Sequence, residues 1–62
     1  MIKLLSHWIK HNDDHANTYT EWAQKTKAAN MAGIEMLLTE AADITRSISI
    51  KFEAALDELK KG

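Results

Sequence analysis

Residues 30–60 read NMAGIEMLLTEAADITRSISIKFEAALDELK, and this stretch decides the fold. Gly33 is the only internal glycine and the chain has no proline, so helix-breaking chemistry is concentrated here, with Asn30 just ahead of it. Beyond Gly33, at 100° per residue, Ile34, Leu37, Leu38, Ala41, Thr45, Ile48, Phe52, Ala55, Leu56 and Leu59 fall on one face. Glu35, Glu40 and Asp43 come early and Lys60 and Lys61 close the segment, which complements the helix dipole. The spacing predicts a helix from about residue 34 to 60. Ile50 and Met36 point away from its apolar face.

Upstream of the break, the same rotation collects Leu4, Trp8, His11, His15, Tyr19, Trp22, Thr26 and Ala29 on one stripe. Ile2, Leu5, Ile9, Ala16 and Ala23 widen it on one flank. The apolar face therefore continues into the first half, with imidazoles where leucines are expected. Two versions of this half remain open. Asn12-Asp13-Asp14 has the form of an N-cap followed by two acids in a first turn, and Ser6 can cap a turn beginning at His7. The first helix either breaks near Asn12 or runs through it.

Two long helices joined at Gly33 form an antiparallel hairpin, so the expected fold class is all-α, a single domain over residues 1–62. In that hairpin His11 sits roughly opposite Phe52 and His15 roughly opposite Ile48. Trp8, Tyr19, Trp22, Ile48 and Phe52 are the expected core or interface residues. Sixty-two residues bury little surface, and chains of this size usually need a disulfide, a metal or a partner. Without cysteine, disulfides and thiolate zinc sites are excluded. A homodimeric four-helix bundle is the simplest way to cover the rest.

Composition narrows the partners. Eight Lys plus Arg against nine Asp plus Glu, dispersed along the chain, argue against a nucleic-acid or anionic-membrane footprint. The apolar start, Met1 to Leu5, is too short for a secretory core or a membrane span. A soluble cytoplasmic protein without membrane insertion is the expectation.

The string His7-Trp8-Ile9-Lys10-His11-Asn12-Asp13-Asp14-His15, followed by Tyr19 and Trp22-Ala23, resembles a small family of uncharacterised prokaryotic helical-hairpin domains. Their pattern is HW-x-x-HN-x-x-H, an aromatic four residues on, then WA, a glycine-containing bend and a second helix rich in Ala, Leu and Glu. The likeness spans nearly the whole chain, but its specific part is the first half. It implies the hairpin fold and a metal-linked role, and no established activity. Members that carry proline in place of Ser6 favour a break before His7.

The chemistry resides in the histidines. His7, His11 and His15 recur every fourth residue, and either adjacent pair can chelate one ion from neighbouring helical turns. Asp14 is within reach as a further ligand. Imidazole and carboxylate suit zinc, nickel, cobalt or iron(II). On an ideal helix the three imidazoles spread over about 80°, too far for one ion unless the helix breaks at Asn12. The competing reading makes His11 and His15 half-buried packing residues that set register, with His7 at the rim. Imidazoles at a dimer seam would also gain charge on acidification and repel, giving a pH response under either reading. Catalysis is not expected. Ser6, Ser47 and Ser49 lack a glycine-rich elbow, and a hairpin lacks a pocket of ligand size.

Overall fold

The computed structural model describes residues 1–61; Gly62, the last residue of the expected 1–62 domain, lies outside the described residues. Two helices account for nearly all of it: α1 (Ile2–Ala28) and α2 (Ala32–Lys61), packed against each other as a hairpin. The rod measures 50 × 14 × 9 Å. Its radius of gyration is 14.5 Å, against about 10.6 Å for a compact domain of this length.

The turn sits three residues earlier than the glycine suggests. Asn30 takes the left-handed conformation, with φ of 61°. Met31 N–H donates to Thr26 O at 2.9 Å and Asn30 N–H to Lys27 O at 3.0 Å. These are the paired 6→1 and 5→2 bonds that close a helix with its terminal carbonyls satisfied. Asn tolerates this conformation better than most side chains. Gly33 is therefore not the hinge. It lies in the first turn of α2, on ordinary helical backbone with open space around it. Lys25 and Lys27 close α1 and Glu35 opens α2, each favourable to the local helix dipole.

The first helix is unbroken. Asn12, Asp13 and Asp14 are interior residues of α1, and so is Ser6. The expected cap at Asn12 gives way because its side chain has a better partner across the seam. Asn12 Nδ2 donates to the carbonyl of Thr45 and, at 2.9 Å, to Ser49 Oγ. Ser49 Oγ in turn donates to Asp13 Oδ1 at 2.6 Å. A tertiary hydrogen bond has displaced a local one.

The seam itself is rotated from the expected stripe onto its flank. Leu5, Ala16 and Ala23 are the buried residues of α1, and Ala42 and Ser49 those of α2. Ile9, Asn12 and Thr26 on α1, with Leu38, Thr45, Phe52 and Leu56 on α2, are half-buried. Both sets recur at alternating spacings of three and four, the heptad pattern of a two-stranded coiled coil. Small side chains on the seam let the backbones approach closely, which two rows of Trp and Ile would prevent. Ile48, expected in the core or at an interface, is exposed on the open side, as are Trp8 and Trp22. Ile50 and Met36 do point away, as their spacing predicts.

Candidate functional site

The two long sides of the hairpin differ in chemistry. One side carries a shallow polar groove lined by Asp13, Asn17, Arg46 and Glu53, with Ser49 at its floor and Ile50 beside it. There Arg46 Nη2 donates across the groove to Thr20 Oγ1 at 2.7 Å. The other side is apolar. Trp8, His11, Asn12 and Phe52 line a shallow hollow, and the Trp8 and Phe52 rings lie 5.6 Å apart.

Helical rotation continues that apolar side along both helices. On α1 it takes in Leu4, Trp8 (40% exposed), His11, His15 and Trp22 (53%). On α2 it takes in Ile34, Leu37 (65%), Ile44 (64%), Ile48 and Leu59. Eight large exposed apolar side chains therefore share one side, and scattered single residues do not do that. Lys25 Nζ lies 4.3 Å from the Trp22 ring centroid and covers it only from its own helix.

An imidazole ladder runs obliquely across this face. The rings of His7 and His11 stack with centroids 6.0 Å apart, and those of His15 and Tyr19 do so at 6.1 Å. Between them, His11 and His15 meet edge to face at 4.5 Å. Their Nε2 atoms are 3.0 Å apart, so one ring donates and the other accepts. His7 lies on the outer edge of the ladder. Because α1 is continuous, the three rings keep their helical spread. Asp14 is engaged elsewhere, with its Oδ2 3.3 Å from Lys10 Nζ on the exposed surface.

Of the four expected ligands, then, the structure brings two nitrogens together, those of His11 and His15. Among the described residues no group of three His, Asp or Glu converges within one chain. Phe52 is half-buried and shares its hollow with His11, while the contacts of Trp8 with Phe52 and of Asn12 with Ser49 shift the register two to three residues from the expected pairing of His15 with Ile48; Tyr19 is half-buried too.

The polar layer of Asn12, Asp13, Thr45 and Ser49 was missed by sequence reading. Its signal was available. Asn12 stands in the three-four series with Leu5, Ile9, Ala16 and Ala23, and Ser49 in the series with Ala42, Thr45, Phe52 and Leu56. A polar residue at one such position sets register and orientation.

A model for the Domain of unknown function (DUF8180) matches residues 1–59. The chain belongs to this family. The match takes in α1, the turn and α2 as far as Leu59. No curated protein and no solved structure matches the chain. No helix among the described residues is long and apolar enough to cross a membrane.

Proposed function

We propose that the hairpin is a non-catalytic assembly module, whose open apolar side docks on a second copy of the chain to form a four-helix bundle. The observation that carries this reading is the contiguous apolar side itself. A folded monomer of 7.0 kDa is expected to expose about 4,000 Å². This chain exposes 4757 Å². The excess of roughly 700 Å² is close to the ~800 Å² that each partner buries in a standard interface. The thin core supports the same reading. Among the described residues the buried side chains are one leucine, three alanines and a serine, too little to stabilise a domain of this size comfortably.

Several polar groups along the hairpin are held by neighbouring side chains. Asp13 accepts from Ser49, Asp14 pairs with Lys10, and Thr20 accepts from Arg46. The test is sedimentation equilibrium of the untagged chain at micromolar concentration. A mass twice that of the 7.0 kDa chain is expected. A well-folded monomer would refute the reading.

A further inference from the structure

We propose that the two copies dock with their two-fold axis crossing α1 at His15, so that the His11 and His15 pairs of both chains together ligate one divalent transition-metal ion. This rests on the self-association proposed above and adds its orientation and its ligand.

The geometry of the pair comes first. Two nitrogens about 2.05 Å from a zinc ion stand about 3.3 Å apart in a tetrahedral site and about 2.9 Å apart at a right angle. The Nε2 atoms of His11 and His15 are 3.0 Å apart. That separation lies in the range of a two-imidazole chelate; on binding, the ion takes the place of the proton in the Nε2–Nε2 hydrogen bond, the donor ring changing to its Nδ1–H tautomer. One chain supplies only these two ligands. The site is incomplete without a second copy.

The pattern of the apolar side supplies the orientation. A two-fold interface is self-complementary, so a residue a given distance to one side of the axis meets the residue the same distance to the other side. On α1, Trp8 and Trp22 each lie seven residues from His15, and His11 and Tyr19 each lie four residues from it. On α2, Ile44 and Ile48 bracket Arg46 at equal spacing, and Ile34 and Leu59 lie almost equally far from it. The contacts of Trp8 with Phe52 and of Asn12 with Ser49 put His15 level with Thr45 and Arg46. Both helices therefore share one midpoint.

An axis through that midpoint, perpendicular to the rod, lays α1 antiparallel on α1 of the second copy. Trp8 of each chain then meets Trp22 of the other, and the two His15 rings face each other at the axis. Each His11 is about 6 Å farther along its helix, with its Nε2 turned back toward His15. Four imidazole nitrogens surround a single point. That donor set suits zinc, with cobalt and nickel as further candidates. His7, on the outer edge, is not a ligand.

The test is calorimetric titration of the untagged chain with zinc, together with sedimentation of metal-free and zinc-loaded samples. We expect one zinc per two chains and a zinc-loaded dimer with a raised melting temperature. His11→Gln and His15→Gln should each lose zinc binding, whereas His7→Gln should bind as the parent does. All three side chains are exposed, so the variants should fold. One ion per chain, or zinc binding that survives His15→Gln, overturns the shared site. A metal-free dimer that binds no zinc overturns the site and leaves self-association standing. A monomer with and without zinc overturns both.

Discussion

Replacing Ser49 by alanine should remove about 2 kcal/mol of stability, although the change deletes one oxygen atom. Ser49 is 3% exposed, and its hydroxyl donates to Asp13 Oδ1 at 2.6 Å while accepting from Asn12 Nδ2 at 2.9 Å. The bond to Asp13 is charge-assisted, a class worth about 1.5–3 kcal/mol, and the bond from Asn12 is worth about 0.5–1.5 kcal/mol. Asp13 is only half-buried, so water replaces part of what it loses and the low end of the combined range applies. A 62-residue chain has in total about 3–9 kcal/mol to lose. Urea unfolding followed by helical circular dichroism, at one fixed protein concentration, reads the effect directly. With a slope near 1 kcal/mol/M, the midpoint should fall by about 2 M. Asn12→Ala should cost about 1–2 kcal/mol, because it removes the bonds to Ser49 and to the Thr45 carbonyl. The double variant should cost less than the sum by about 0.5–1 kcal/mol, since both single changes delete the same Asn12–Ser49 bond. If Ser49→Ala lies within 0.5 kcal/mol of the parent and the cycle shows no coupling, the polar layer does not hold the seam.

Three further outcomes are expected. Asn30→Gly should be neutral or stabilising by up to about 1 kcal/mol, and Asn30→Val destabilising by about 1–2 kcal/mol, because φ there is 61°; thermal melts of both variants check this. Ala16→Leu should cost about 1–3 kcal/mol or shift the helix register, since Ala16 is completely buried in a seam built for small side chains; urea titration beside an exposed control such as Ala54→Leu separates overpacking from a general leucine effect. Ile44→Lys should leave the hairpin helical but shift sedimentation toward the 7.0 kDa monomer, because Ile44 is exposed in one chain and central to the proposed interface. A dimer of unchanged affinity would place the contact on another side.

The helices, their number and their antiparallel pairing are legible in the sequence. Apolar periodicity over residues 34–60 and a single cluster of helix-disfavouring residues between two long runs leave few alternatives for a chain without proline or cysteine. The open side was also legible in kind, because two helices have one seam and this chain has more apolar surface than one seam covers. What needed tertiary structure was the rotation of each helix about its own axis. A stripe centred on Trp8, His11, His15 and Trp22 and a flank centred on Leu5, Ile9, Ala16 and Ala23 are both apolar enough to bury. The seam took the flank that carries Ala16 and Ala23, whose small side chains leave room for Leu38, Phe52 and Leu56 opposite, and Trp8 and Trp22 were left outside.

The same cross-seam contacts explain why Asn12 does not cap a helix. Its local signal was real, but Thr45 and Ser49, 33 and 37 residues away, satisfy its amide without breaking α1. The imidazole pairing belongs to this level too. Four-residue spacing makes His7, His11 and His15 neighbours in any helix. Which two of them turn their nitrogens toward each other depends on side-chain conformations that spacing does not specify, and here they are His11 and His15.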